Sequence, residues 1–190
     1  MRLGIDLDGV VADFNGGWTR AYNADFGTSV SADRVTEWDQ IPSLTHFHHM
    51  GEFWRWARNL AGGSLFRHLD PYPEAIPALI RLAGDHDVIV VTTKPHWAEL
   101  DTYQWLVDHG VPATEVHITR DKWLVDCDVF LDDAPHVLHR LVAERPSSVI
   151  CRFVRPWNHP VGRAVDITGW PMFEAVVEEQ TSRLAQGQRG

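Results

Sequence analysis

Lysine is nearly missing from this sequence. Of 17 Lys and Arg side chains, 15 are arginine and only Lys94 and Lys122 are lysine. Arginine is the default cation here. The two exceptions mark positions where a compact point charge on a flexible stem is wanted in place of a planar fork. Cysteine is as scarce. Cys127 and Cys151 lie in apolar runs with no CxxC spacing, so they read as two reduced core thiols, the pattern of a cytoplasmic protein. No stretch approaches the roughly 18 consecutive apolar residues of a membrane helix, and membrane partners are not expected. The opening MRLGIDLDG meets an acid too early for a secretory signal. An excess of positive charge is also absent. The formal net charge is −9 with no basic stripe, which argues against a grip on duplex nucleic acid.

What is present is enough for one packed domain with an insertion: 190 residues, 44% of them hydrophobic. Five short apolar runs read as strands: Arg2–Asp6, Asp87–Thr92, Glu115–Ile118, Asp128–Leu131 and Ser148–Val154. Continuous rather than alternating apolarity predicts a sheet covered on both faces. Helical spacing lies between and after the runs. Its marks are Ala75, Ile76, Leu79, Ile80 and Ala83; then Trp97, Leu100, Tyr103 and Val107, stopped by Gly110 and Pro112. Val137, Leu138, Leu141 and Val142 mark a third helix, and Met172, Phe173, Val176 and Val177 a last one. The alternation predicts an α/β fold, a three-layer sandwich around a mainly parallel five-stranded Rossmann-like sheet.

Residues 15–72 break the rhythm. They hold Trp18, Trp38, Trp54 and Trp56 with Phe26, Phe47, Phe53 and Phe66, and show no clear strand. The stretch is too long for a plain loop and reads as a small helical cap inserted after the first strand. The core is then 1–14 and 73–182, and residues 183–190, within TSRLAQGQRG, are a flexible tail. The run HFHH, His46–His49, has no second ligand cluster and reads as a mobile cap loop. VRPWNHPVG, Val154–Gly162, reads as a loop shaping one wall, with no job assigned.

Ligands of parallel α/β sheets bind beyond the carboxyl ends of the strands. Strand one exits into Asp6-Leu7-Asp8-Gly9, strand two into Thr92-Thr93-Lys94-Pro95, the third connection carries Lys122, and strand four ends in Asp132-Asp133. Four acids, two hydroxyls and both lysines thus share one rim. Converging carboxylates repel unless a cation lies among them. All-oxygen donors suit Mg²⁺. The lysines and threonines then face a phosphate, helped by helix N-termini after Pro95 and Pro135. Asp13 reads as a structural or capping acid.

In order and spacing, DLDGVVADF, VVTTKP, RDK and FLDDAP resemble the four motifs of the haloacid dehalogenase (HAD) superfamily of phosphohydrolases. DGVVADFNGGW, SLFRHLDPYPEAI and TRDKWLVDCDVFLDDAP are similar to the 5′(3′)-deoxyribonucleotidases. The resemblance implies that Asp6 is the nucleophile, forming an aspartyl-phosphate, and that Asp8 is the acid and base. It implies phosphate contacts from Thr92 and Lys122, with Gly9 letting the backbone turn close to the phosphate, and metal held by Asp6, Asp8 (through its carbonyl), Asp132 and Asp133. Thr93 and Lys94 are phosphate-binding candidates from their place at the exit of strand two. An aromatic at Phe14 lines the base pocket in that family; Trp18 and Phe66 are further candidates against ordinary packing. Dehalogenases of the superfamily lack an acid two residues after the nucleophile, so Asp8 favours phosphoryl transfer. TTKP departs from the Thr-Ser-Pro of the nucleotidases, which leaves Lys94 open between a phosphate, a second anionic group and solvent. The expected activity is Mg²⁺-dependent hydrolysis of small phosphomonoesters, nucleoside 5′-monophosphates foremost. A polynucleotide end phosphatase, a phosphotransferase and an inactive binding scaffold are the rivals, and monomer and homodimer are both open.

Overall fold

The computed structural model describes residues 1–187. Six strands form one sheet: β1 (Arg2–Ile5), β2 (Asp87–Thr92), β3 (Glu115–Ile118), β4 (Val129–Asp132), β5 (Val149–Phe153) and β6 (Val165–Ile167), in the order β3-β2-β1-β4-β5-β6. Every pairing is parallel; Ile5 faces Val90 on one side and Leu131 on the other. The chain leaves β1 towards β2 and later crosses to β4, so the strand order reverses at β1 and opens a crevice at its carboxyl end.

The sheet is covered on both faces, as continuous apolar strands require. Leu3, Ile5, Val88, Val90, Val129 and Leu131 pack with α4 (Ala75–Leu82), α5 (Glu99–Asp108) and α7 (Trp170–Gly187). Ile89, Val91, Phe130 and Ile150 point the other way, against Val137, Leu138 and Leu141 of α6 (Pro135–Glu144). This is the expected three-layer α/β sandwich. Gly4 lets β1 lie close to that second face, since a Cβ there would stand 2.8 Å from the Phe130 ring.

Three expectations need correction. There are six strands, not five. β6 has three residues and carries Asp166, so it gave no apolar run; its carboxylate takes both Nε and Nη2 of buried Arg152, at 2.7 and 2.6 Å. In α5, the stripe Leu100, Tyr103 and Val107 is the outer face, Leu100 being 79% exposed, and the inner face is Thr102, Trp105 and Leu106. The indole N–H of Trp105 donates to the Leu69 carbonyl at 2.7 Å, and this anchor chooses the face. Finally, α7 continues through residues 183–187, read from sequence as tail, while 188–190 lie outside the described residues.

Between β1 and β2 the chain forms α1 (Phe14–Phe26), α2 (Ile41–Leu44), α3 (Met50–Ala57) and short 3₁₀ turns. Asp13 caps α1, accepting the Gly16 N–H at 2.9 Å, and Gly27 ends it in the left-handed region. The segment is stitched shut where it enters and leaves. Asp13 N–H donates to the Asp70 carbonyl and Tyr72 N–H to the Val11 carbonyl, both at 2.8 Å.

Candidate active site

The acids that end β1 and β4 meet in the crevice. One carboxylate oxygen from each of Asp6, Asp132 and Asp133 lies within 4.8 Å of the others, all three side chains being buried. Lys122 stands among them. Its ammonium is 2.9 Å from Asp6 Oδ2 and 2.7 Å from Asp132 Oδ2. It comes from a 3₁₀ turn after β3, so a third chain segment reaches the same point. Burial disfavours its charge, yet the two facing carboxylates raise its pKa overall. The remaining oxygens are oriented by backbone: Asp6 Oδ1 accepts the Leu7 N–H at 2.8 Å and Asp132 Oδ1 the Ala134 N–H at 2.9 Å.

Asp8 takes the other lysine. Lys94 Nζ lies 2.5 Å from Asp8 Oδ1 and 4.3 Å from the centre of the Phe66 ring, with its side chain 2% exposed. Burial pushes the Asp8 carboxyl up, against the pull of Lys94. Of the three readings of Lys94 (a phosphate, a second anionic group and solvent), the buried pairing with Asp8 sets solvent aside.

Four carboxylates face two ammonium groups in this crevice. The acids formally outnumber the ammonium groups by two, and burial together with Asp6 and Asp132 holds Asp133 well above the usual carboxylate range, a crowding that a divalent cation would relieve. Among the described residues, the buried atoms without a hydrogen-bond partner include Asp133 Oδ1 and Thr92 Oγ1 in this crevice. Leaving a buried polar atom unsatisfied costs about 1–3 kcal/mol, which a bound cation or anion at these two atoms would relieve. The donor set is all oxygen, and the residues fit a hard cation such as Mg²⁺.

Gly9 makes the close approach possible. Its φ is +78°, and a Cβ there would sit 2.1 Å from Asp133 Oδ2. Thr93 lies at the rim, its hydroxyl donating to the Thr119 carbonyl at 2.8 Å.

These groups line the floor of a cavity of about 540 Å³ whose walls include Phe14, Trp54, Phe66 and Trp97. Phe14 and Phe66 stack with centroids 6.0 Å apart, and Trp54 lies 6.1 Å from Phe66. Trp18 is not part of it. That side chain is wholly buried, with its N–H on Asn15 Oδ1 and its ring edge-on to Phe53. Trp56 likewise packs away, against Phe47 and Asp25. His46 is built into that aromatic cluster, its Nδ1 2.9 Å from the Tyr22 hydroxyl.

The loop after β5, read from sequence as shaping one wall, does line the cavity through Trp157, but the roles of its residues were not legible. Arg155 Nε donates to the Gly9 carbonyl at 2.6 Å, the Trp157 indole N–H to Asp133 Oδ2 at 2.7 Å, and Asn158 Nδ2 to the Asp133 carbonyl at 2.8 Å. Trp97, read as a core-facing helix position, is a cavity wall. The only signal for the loop was its Arg, Trp and Asn among prolines.

Comparison with known proteins agrees with this geometry. The chain is 28% identical over 149 residues to the mitochondrial 5′(3′)-deoxyribonucleotidases of Mus musculus and Homo sapiens. Each match covers 72% of this chain, and 66% and 64% of those proteins respectively, so the chain spans just under two thirds of these two relatives. The HAD-hydrolase YfnB from Bacillus subtilis, solved bound to magnesium, superposes with a TM-score of 0.60 at 12% identity, over 93% of this chain and 97% of that one. That likeness shows the HAD-like fold. The family model described as 5′ nucleotidase, deoxy (pyrimidine), cytosolic type C protein matches residues 1–180, and the chain belongs to that family.

Proposed function

We propose that the protein is a Mg²⁺-dependent phosphatase of small phosphomonoesters, nucleoside 5′-monophosphates foremost. One observation carries this reading. Asp6 and Asp132 share the Lys122 ammonium, while the buried oxygens of Thr92 and Asp133 beside them lack partners.

Asp6 attacks phosphorus, and the bond from phosphorus to the ester oxygen breaks. Asp8 gives its proton to that leaving oxygen, then takes one from the water that hydrolyses the aspartyl-phosphate. Lys122 and the Thr92 hydroxyl bind the transferring oxygens, where charge redistributes. Asp6, Asp132, Asp133 and the Asp8 carbonyl would hold the ion, which when bound neutralises charge between the nucleophile and an anionic substrate. Lys94 holds Asp8 in place. Phe14, Phe66, Trp54 and Trp97 offer the flat apolar walls that suit a base, and residues 15–72 act as the cap that closes over it. The two free cysteines, both buried, fit a reducing, cytoplasmic setting.

Phosphate release from a panel of ribo- and deoxyribonucleotides, glycerol phosphate and a 5′-phosphorylated oligonucleotide tests the reading. The expected result is Mg²⁺-dependent release, abolished by chelator and by D6N, with free nucleotides best. Release that D6N leaves intact refutes it, and a preference for the oligonucleotide replaces it with end processing.

A further inference from the structure

The loop Val154–Gly162 does more than close a wall. Asp133 is 2% exposed and is held at both ends by this loop rather than by its own helix. Trp157 donates to Oδ2 and Asn158 to the main-chain carbonyl. Asn158 is itself locked: its Oδ1 accepts from Arg152 Nη1 at 2.8 Å and from the Arg155 N–H at 3.1 Å, and its Nδ2 also reaches the Phe153 carbonyl. Arg155 lies between the Tyr72 and Phe153 rings, 4.2 Å from each centre, and grips the Gly9 carbonyl. One loop therefore ties the nucleophile turn to the second acid of the β4 pair.

The consequence falls on Asp133 Oδ1. Oδ2 is held by the indole, Oδ1 is buried with no hydrogen-bond partner, and the carboxylate offers one oxygen within 4.8 Å of oxygens from Asp6 and Asp132. We propose that Trp157 is a positioning residue that sets the protein's affinity for its divalent cation, by holding Asp133 with Oδ1 ready to ligate. This rests on the phosphatase reading only for the presence of an ion between these acids. Hydrogen-bond partners of metal ligands commonly set affinity by 10–100-fold, and the orienting donor here comes from a residue outside all four sequence motifs.

Direct calorimetric titration of the substrate-free protein with Mg²⁺ tests it. The indole of Trp and the imidazole of His share the five-membered ring position, so Nε2–H of a histidine can stand where Nε1–H of Trp157 does. W157F keeps an aromatic ring and loses the donor; W157H restores it. The expected result is Mg²⁺ affinity about 10–100-fold weaker in W157F and largely recovered in W157H. A structural role alone would track ring size, so W157H would then be the worse variant. W157F binding Mg²⁺ as tightly as wild type, or W157H losing as much as W157F, overturns the proposal and leaves the phosphatase reading standing. A wild-type protein that binds no Mg²⁺ overturns both. Should W157F not fold, W157H alone decides: near-wild-type affinity supports the role, and a loss of tenfold or more removes it.

Discussion

Asp8 sits under two opposing influences. Burial resists its charge and favours the protonated form, while Lys94 at 2.5 Å favours the carboxylate. A group so placed suits a proton that must be given and then retrieved. The role has a signature that depends on the leaving group. With a nucleotide, whose alkoxide leaves badly, D8N should lower kcat by about 10²–10⁴-fold. With p-nitrophenyl phosphate the leaving group needs no proton, so D8N should release one equivalent quickly and then stall as the phosphorylated enzyme. Rapid-quench measurement of that burst decides it; equal slowing of the first turnover for both substrates would show that Asp8 is not the acid. At this scale the motif residues were legible because strand exits expose them to the crevice, whatever the rest of the chain does. Trp18 was not, because its i,i+4 spacing puts it on the same face of α1 as Phe14, and nothing local shows that Asn15 and Phe53 enclose it there. Trp157 was not, because its value comes from an indole N–H aimed at a residue 24 positions away.

Elements are legible where burial is two-sided and ambiguous where it is not. β2 could be read directly, since five of its six residues are buried. The face of α5 could not, because Trp105 and Thr102 fill the inner side while Leu100 and Val107 are left outside. β6 was hidden by its acid. Another polar tie binds strands that do not touch. Arg2 on β1 reaches across β2 to Glu115 on β3, with Nη1 and Nη2 on the two carboxylate oxygens at 2.7 and 3.0 Å. The hydrogen bonds from Arg2 and from His117 hold the Glu115 carboxyl down at about 2, below the ordinary 4.5. A depressed folded-state pKa stabilises the fold above the unfolded value and ceases to do so as pH falls through the folded one. Wild type should therefore exceed E115Q in urea midpoint at pH 7, with the gap closing between about pH 4.5 and 2. The pair is partly exposed, so 1 M salt should shrink the gap at pH 7. A gap that is constant from pH 7 to 2 would show that the charge contributes nothing.

The whole molecule joins its insertion to its sheet through one continuous apolar cluster. Trp18, Tyr22, Phe47, Phe53 and Phe66 belong to the same buried set as Leu3, Val88, Val90 and Leu131. Sequence composition separates residues 15–72 from the flanking α/β pattern, and so invites a two-body picture. Packing does not respect that boundary: Leu65, Phe66 and Leu69 touch both parts, and Trp105 of α5 is pinned to the Leu69 carbonyl. Two layers sharing one core should lose it together. We therefore expect a single calorimetric unfolding transition, with calorimetric and van't Hoff enthalpies equal. W105A, which removes a buried ring and strands the Leu69 carbonyl, should lower that one transition by about 3–5 kcal/mol of stability without splitting it. If heating instead resolves two steps, or W105A frees the insertion to melt first, residues 15–72 form an independent folding unit and cap movement need not disturb the sheet. A single step instead ties any opening of the insertion to the shared core, since the entry and exit segments Val11–Asp13 and Asp70–Tyr72 are hydrogen-bonded to each other and Val11 and Ala12 are themselves buried in it.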